Sequence, residues 1–119
     1  MLFCNGFRSA SNSVSGGTKV NDVEEYCKIN SIDFCCFDYR GHGLSSGNFN
    51  DMTLSDWIED TRNIITQILH PNLNDNNDTI DNIQNKKRRI ILVGSSMGAW
   101  ISIHIAFLLN NNSNESNHV

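Results

Sequence analysis

The sequence predicts an α/β fold in which three parallel strands alternate with helices. Two short apolar runs, 32–37 and 90–93, consist largely of residues that favour strands, and residues 2–4 read as the end of a further strand. Each of these three strand segments is followed by apolar residues at helical spacing. Because strands separated by helices pair in parallel through right-handed crossovers, this order indicates part of a doubly wound sheet.

The first helix is predicted to begin near Thr18. Val20, Val23 and Cys27 recur at the spacing of one helical face, after a polar stretch rich in Gly and Ser. Thr18 or Asn21 has a side chain that is able to cap the helix start. We therefore expect an amphipathic helix between the first strand and the second.

The second helix is predicted to follow Thr53. Thr53 and Asp56 have the spacing of a capping box, although Asp is a shorter arm than the usual Glu. An apolar stripe continues to Ile68, and Pro71 is expected to end the helix. The Asn/Asp-rich residues 72–85 have no periodicity and are expected to form a surface insertion.

The third strand and helix complete the predicted domain. The continuous apolar run 90–93 is expected to be a central strand that is buried on both faces. Residues 99–109 are apolar on nearly every side and predict a deeply buried helix, whereas 110–119 read as a polar tail. The chain is thus interpreted as one partial domain over 1–109, with the insertion at 72–85, followed by the tail.

Composition excludes several classes of protein. The chain has 119 residues and a net charge of -4, so it lacks the basic surface that binds nucleic acid. No apolar run reaches the roughly 20 residues of a membrane span, and no transmembrane segment is expected. The first residues lack the features of a secretory signal, which indicates an intracellular location, in the cytoplasm or the mitochondrion.

The cysteines are expected to be reduced and to pack as small apolar residues. All four lie in apolar surroundings, and their spacing fits neither a Cys-x-x-Cys pair nor a set of zinc ligands. The four histidines are scattered along the chain. We therefore expect no metal site and no cofactor.

Residues 94–98 carry the most specific chemical signal. They read Gly-Ser-Ser-Met-Gly, which fits the Gly-x-Ser-x-Gly pattern of a nucleophile elbow between a strand and a helix. In such an elbow the hydroxyl of Ser96 projects from a strained turn, and a glycine two residues away on each side avoids a collision within it. The following helix directs its free N–H groups at an oxyanion formed nearby.

A second feature lies at the end of the first strand, where Gly6 precedes Phe7. A serine hydrolase forms its oxyanion hole from the N–H after the nucleophile and an N–H from an earlier loop. Met97 would supply the first N–H and Phe7 the second, because Gly6 allows a close approach of the backbone. The alternative is an ordinary turn in which Phe7 packs into the core.

Several motifs together carry a family resemblance. They occupy residues 6–9, 17–19, 37–49 and 94–100. These segments look like the alpha/beta-hydrolase superfamily. Within that superfamily, the closest resemblance is to the palmitoyl-protein thioesterase and acyl-glucuronide esterase-like branch. It rests on two motifs, the Gly-Thr-Lys before the first helix and the turn Asp-Tyr-x-Gly-x-Gly-x-Ser-x-Gly-Asn-Phe.

The resemblance implies a fold and a reaction. It implies a partial alpha/beta-hydrolase fold over 1–109, with Ser96 as nucleophile and the backbone N–H groups of Met97 and Phe7 as the oxyanion hole. The implied substrate is a small-molecule or lipid acyl ester or thioester. Asn5 stands where the family usually has His, a departure that leaves a hole built from backbone groups intact. The turn that contains His42 is structural in the family, so this residue is not expected to be the base.

The catalytic acid and histidine of the family are expected after the nucleophile. Only His104, Glu115 and His118 follow Ser96 with suitable chemistry, and none is expected to reach it. The chain is therefore interpreted as a fragment with strands three to five of the family's sheet, in the order four, three, five.

Two alternatives stay open, namely acyl transfer or cofactor-free peroxidase chemistry on the same fold, and a non-catalytic interaction module. The acyl chain and the oligomeric state stay unassigned.

Overall fold

The computed structural model describes residues 1–10, 17–69 and 89–115. In these ranges three strands form one sheet: β1 (Leu2–Cys4), β2 (Cys35–Cys36) and β3 (Leu92–Gly94). Three α-helices accompany them: α1 (Thr18–Ile29), α2 (Leu54–Leu69) and α3 (Met97–Glu115). The strands are parallel, in the order β2-β1-β3. The predicted α/β class and the central place of the first strand are confirmed.

The register of the sheet brings three loops to one edge. Leu2 of β1 pairs with Cys35 of β2 and with Leu92 of β3, and Cys4 pairs with Gly94. Because parallel strands end at the same edge, the loops that follow them meet there. The loop after β1 therefore lies between the loops after β2 and β3.

The two faces of β1 are both covered. Alternation along a strand points Leu2 and Cys4 to one face and Phe3 to the other. Leu2 and Cys4 belong to the main core, in which α2 and α3 supply Trp57, Ile65, Ile101 and Ile105. On the opposite face, buried Phe3 and Val20 of α1 line the same cavity. Helices on both faces are what a doubly wound sheet requires.

The start of α2 is the capping box that the sequence predicts. Thr53 N donates to Asp56 Oδ2 over 2.7 Å, and Asp56 N donates to Thr53 Oγ1 over 3.4 Å. The predicted cap of α1 is wrong, because Gly17 occupies the N-cap position and no side chain caps the helix. Gly17 adopts φ -55 and ψ 171, so the chain enters the helix directly and Thr18 is already helical.

Two predictions about the third unit also differ from the structure. Only Leu92–Gly94 forms the strand, its residues are half-buried, and Ile91 is exposed, because within the described residues β3 pairs on one side only. Helix α3 buries Ile101 and Ile105 but exposes Ile103. It is therefore amphipathic in its packing, not buried all round, because the sheet and α2 cover one side of it.

Helix α3 continues to Glu115, past residue 109, where the sequence predicts a polar tail. Pro71, the insertion 72–85 and residues 116–119 lie outside the described residues. No helix in the described part of the chain has the length and apolar character to cross a membrane.

Candidate functional site

The structure places Ser96 between the end of β3 and the start of α3. Ser96 has φ 54, in the left-handed region, which costs a residue other than glycine about 1–2 kcal/mol. It is exposed at the loop edge of the sheet. The turn is closed by Gly98 N, which donates to Ser95 O over 2.9 Å, and by Ala99 N, which donates to Ser96 O over 3.0 Å. This is the conformation that a nucleophile elbow needs.

The two glycines of the elbow are required for different reasons. A Cβ on Gly94 would overlap Gly98 O and Ala99 N, so Gly94 allows the turn to fold back on itself. A Cβ on Gly98 would lie 2.5 Å from Asn5 O and closer still to Cys4 O. Gly98 therefore allows α3 to lie directly against the end of β1.

The loop after β1 begins with a tight turn that contacts the elbow. Ser9 N donates to Gly6 O over 3.1 Å, and Arg8 adopts φ 57, as the third residue of a type II turn does. A Cβ on Gly6 would lie 3.4 Å from Ser96 Cβ and 3.3 Å from Ser95 O. The close approach that the sequence predicts for Gly6 is thus present, and it brings the Phe7 turn against the elbow.

The N–H groups of this turn have distinct partners. Ser9 N–H donates within the turn, and Arg8 N–H donates to His42 Nε2 over 3.2 Å. Among the described residues no acceptor faces the N–H of Phe7 or that of Met97. These are the two N–H groups that the sequence assigns to an oxyanion hole. The Phe7 ring is half-exposed and packs edge-to-face on Phe49, so it is not a core residue.

His42 is buried and both of its ring nitrogens are engaged. Its Nε2 accepts from Arg8 N, and its Nδ1 lies 3.3 Å from Arg40 O. The ring packs edge-to-face on Tyr39, Phe49 and Trp57 at centroid distances of 5.0–5.5 Å. A ring held in this way is not available to take a proton from Ser96.

His104 is the second histidine within the described residues, and it follows Ser96 in the chain. It stacks on Trp100 with ring centroids 5.2 Å apart. His104 lies two helical turns after Met97, so its ring is placed along α3 and away from Ser96 at the helix start. In the described part of the chain no side chain forms a hydrogen bond with the Ser96 hydroxyl. His70 and His118 lie outside the described residues.

Asn5 and Tyr39 join the loops after β1 and β2, a role that the sequence analysis missed. Buried Asn5 donates from Nδ2 to Phe37 O over 3.0 Å, and Tyr39 Oη donates to Asn5 O over 3.1 Å. Burial raises the pKa of Tyr39 above its usual value, so the phenol keeps the proton that it donates. The available signal was an Asn directly after a buried strand and before the Gly of a turn.

Arg40 ties the loop after β2 to helix α2. Its backbone N donates to Asp60 Oδ2 and its Nε to Asp60 Oδ1, both over 2.8 Å, and its guanidinium also pairs with Asp56 and Glu59. The hydrogen bond that the guanidinium donates to the Asp60 carboxylate raises the pKa of Arg40 above its already high value. The loop that contains His42 is therefore anchored at its base.

The cysteines have the character of packed thiols. None of the four forms a disulfide, and Cys4 and Cys27 are buried whereas the two cysteines of β2 are half-buried. Burial raises the pKa of the Cys4 thiol, and it does the same for Cys35. Neither of these two thiols therefore has the low pKa of a reactive cysteine. The described residues contain no group of three His, Cys, Asp or Glu side chains placed to hold a metal ion.

Comparison with known proteins gives consistent matches. Residues 14–116 match the family model described as Hydrolase_4, serine aminopeptidase, S33. The chain is 37% identical over 108 residues to the human protein named palmitoyl-protein thioesterase ABHD10, mitochondrial, and 34% identical over 106 residues to the mouse protein of that name. These matches cover 89% of this chain but 28% and 29% of the relatives.

Solved structures show the same pattern. A crystal structure of an Agrobacterium vitis protein described as a hydrolase superimposes with a TM-score of 0.72 at 28% identity. Mouse alpha/beta hydrolase domain-containing protein 10 superimposes with a TM-score of 0.64 at 33% identity. The matches cover 92% and 90% of this chain, and 34% of each matched chain.

Proposed function

This chain belongs to the serine aminopeptidase S33 family of alpha/beta hydrolases, and from that membership we propose that it carries the nucleophile and the oxyanion hole of a serine hydrolase for carboxylic esters or thioesters. The observation that carries the proposal is the elbow. Ser96 has a left-handed φ at the junction of β3 and α3, and a Cβ on Gly94 or Gly98 would meet backbone atoms. Strain of this kind persists where the surrounding structure maintains it, and it clusters at functional sites.

In the proposed reaction Ser96 Oγ attacks the acyl carbonyl carbon of the substrate. The carbonyl oxygen becomes an oxyanion, which accepts hydrogen bonds from Met97 N–H and Phe7 N–H. The Ser96 proton passes to a general base and from there to the leaving alcohol or thiol as its bond to the acyl carbon breaks. Water then hydrolyses the acyl-serine ester in the same way. No cofactor takes part in these steps.

The substrate class rests on the relatives and on carbonyl chemistry. Proteins named palmitoyl-protein thioesterase match 89% of this chain. An acyl thioester presents the same electrophilic carbon and the same developing oxyanion as an ester. We therefore place acyl thioesters, including acylated proteins, within the proposed substrate class. A mitochondrial location is part of the same proposal, because these relatives are named mitochondrial, and imaging of a fluorescent fusion tests it.

One observation favours a second candidate function. Within the described residues, no base forms a hydrogen bond with Ser96, and a serine without a base is a weak nucleophile. An interaction module that keeps the fold of a hydrolase but performs no chemistry would have this arrangement. Acyl transfer or a cofactor-free peroxidase reaction would use the same elbow, and product analysis separates these reactions from hydrolysis.

The test uses a chain that we call the complete hydrolase. It consists of residues 1–119 together with the segments that the longer relatives have outside this match. We expect a fluorophosphonate probe to label Ser96, and p-nitrophenyl esters and acyl thioesters to be hydrolysed. Ser96→Ala is expected to lower kcat on the order of 10⁶-fold, as in enzymes whose triad acts as a unit.

Ser95→Ala is the matched control, because Ser95 lies in the same turn and its Oγ accepts from Lys19 Nζ over 3.4 Å, at the surface. This variant should keep both the labelling and the turnover. If Ser96→Ala keeps most of the turnover, Ser96 is not the nucleophile. If the unsubstituted complete hydrolase is neither labelled nor active, the non-catalytic alternative stands.

A further inference from the structure

The turn that contains Phe7 lies between two fixed neighbours. On the β3 side, Gly6 packs against the elbow, where a Cβ would lie 3.4 Å from Ser96 Cβ. On the β2 side, Arg8 N–H donates to His42 Nε2 over 3.2 Å. Phe7 is the residue between these two contacts. The sheet order β2-β1-β3 creates this arrangement, because it places the β1 loop in the middle.

The contact between Arg8 and His42 determines the state of the imidazole. A backbone N–H donates only, so Nε2 must carry a lone pair and no proton. The ring proton then lies on Nδ1, which is 3.3 Å from the carbonyl oxygen of Arg40. His42 therefore connects the backbone of the β1 loop to the backbone of the β2 loop in one tautomer.

The same contact controls the conformation of the turn. Arg8 has φ 57, a conformation that a residue other than glycine adopts only at a cost. Rotation of the peptide between Phe7 and Arg8 would relieve that strain and turn Arg8 N–H away from its acceptor. The turn, whose Gly6–Phe7 peptide carries Phe7 N–H, would then lose its anchor on the β2 side. The hydrogen bond to His42 opposes this rotation, and a bond made in a buried setting is expensive to leave unmade.

The imidazole is itself held firmly. Its ring is enclosed by Tyr39, Phe49 and Trp57, and Arg40 is anchored to Asp60 through two bonds of 2.8 Å. Rigid support of this kind is what a precisely placed hydrogen-bond donor needs, because a misplacement of about 1 Å can cost about 100-fold in rate.

We propose that His42 is a positioning residue, which accepts from Arg8 N–H and so holds the turn, and with it Phe7 N–H, at the position that binds the oxyanion. The proposal rests on the proposed function, because Phe7 N–H has this role only if Ser96 is the nucleophile. It assigns to His42 neither proton transfer nor contact with substrate.

The test compares three variants of the complete hydrolase. His42→Phe keeps the aromatic packing but removes the acceptor, whereas His42→Gln supplies an amide oxygen close to the position of Nε2. Trp57→Phe is the structural control: it alters the same aromatic cluster and removes the hydrogen bond from Trp57 Nε1 to Arg40 O, over 3.1 Å, but leaves the acceptor of Arg8 N–H in place. Each is assayed for kcat, KM, melting temperature and affinity for an acyl trifluoromethyl ketone, whose adduct with serine carries an oxyanion.

We expect His42→Phe to lower kcat about 100-fold with KM nearly unchanged, and to weaken the binding of the trifluoromethyl ketone by a similar factor. His42→Gln should recover most of both losses. Trp57→Phe should lower the melting temperature without this selective loss. Equal losses in His42→Phe and Trp57→Phe, or no recovery with Gln, would overturn the role of His42.

Two measurements need no variant and apply even if His42→Phe does not fold. In ¹⁵N NMR spectra, the His42 ring should be the Nδ1–H tautomer. In amide hydrogen exchange, Arg8 N–H should be protected, and Phe7 N–H should become protected only when the trifluoromethyl ketone binds. If the ring is the Nε2–H tautomer, or if Arg8 N–H exchanges without protection, the inference about His42 is overturned. Labelling of Ser96 would in that case still support the proposed function. An unsubstituted chain without labelling or turnover overturns both.

Discussion

Ser96 and the glycines around it show how backbone space at single residues shapes the candidate site. Ser96 adopts φ 54, and the residues two positions before and after it have no room for a side chain. The contact at Gly98 is with the end of β1, so one missing Cβ determines how closely α3 approaches the strand that leads to Phe7. A change at Gly98 should therefore affect both the packing of the helix and the geometry of the proposed oxyanion hole.

We predict that Gly98→Ala destabilises the complete hydrolase by about 1–3 kcal/mol, the usual cost of overpacking, and lowers its kcat as well. The added Cβ would meet Cys4 O and Asn5 O, which are backbone atoms that have little freedom to move. Urea unfolding and ester turnover measure the two effects. Gly17→Ala is the control, because a Cβ there has no neighbour within 4 Å and the backbone is already in a region open to alanine. Equal stability of the two variants would show that Gly98 is not closely packed.

At the scale of elements, helix α2 supports the site from a distance. Its first turn is closed by the capping box of Thr53 and Asp56, and its acidic side chains hold Arg40. Arg40 in turn presents the carbonyl that faces His42 Nδ1. The start of α2 is thus connected through two loops to the turn that contains Phe7.

The capping box should make the stability of α2 depend on pH. Hydrogen bonds from the backbone and side chain of Thr53 lower the pKa of Asp56 below its ordinary value of 3.8. A carboxylate whose pKa is lowered in the folded state stabilises the fold above the unfolded pKa. It loses that contribution as the pH falls through the folded pKa.

We therefore predict that, as the pH is lowered below 3.8, the melting temperature of Asp56→Asn falls less than that of the unsubstituted chain. The variant should already be less stable than the unsubstituted complete hydrolase at neutral pH. Thermal melts over a pH series measure both effects. Asp22→Asn, at an exposed position of α1, serves as the control and should keep the unsubstituted profile. An Asp56→Asn profile parallel to that of the unsubstituted chain would mean that the cap carries no pH-dependent stability.

At the scale of the whole molecule, the described residues leave apolar surface uncovered. Trp100, Ile103 and Phe107 lie along one side of α3 and are 50–73% exposed. In the described sheet, β3 pairs on one side only, and Ile91 beside it is exposed as well. Exposed apolar stripes and unpaired strand edges promote association.

We predict that residues 1–119 expressed alone aggregate and show no turnover that depends on Ser96. Net stability is a small difference between large terms, so a domain with an open apolar face has little reserve. Light scattering, thermal melting and p-nitrophenyl ester hydrolysis test this. Ile103→Lys should reduce the aggregation without restoring turnover, because it changes the exposed face and leaves the elbow untouched. A cooperative melt with turnover that Ser96→Ala abolishes would contradict the prediction.

The family relationship extends over most of the chain. The motifs around residues 6–9, 17–19, 37–49 and 94–100 resemble the alpha/beta-hydrolase superfamily. The family match over residues 14–116, together with the matched relatives and solved structures, confirms that resemblance. The chain spans 28% of the length of the first matched relatives.

The features that depend on local chain chemistry follow from the sequence alone. Strand and helix periods predicted the α/β class, the Thr53–Asp56 spacing predicted the capping box, and residues 94–98 predicted a strained turn at Ser96, because these depend on neighbours within a few positions. The exposed side of α3 and the hydrogen bond from Arg8 N–H to His42 are seen in the folded chain and have no signal in the local sequence. Burial and this hydrogen bond depend on which elements pack together, and the residues involved are 34 positions apart in the chain.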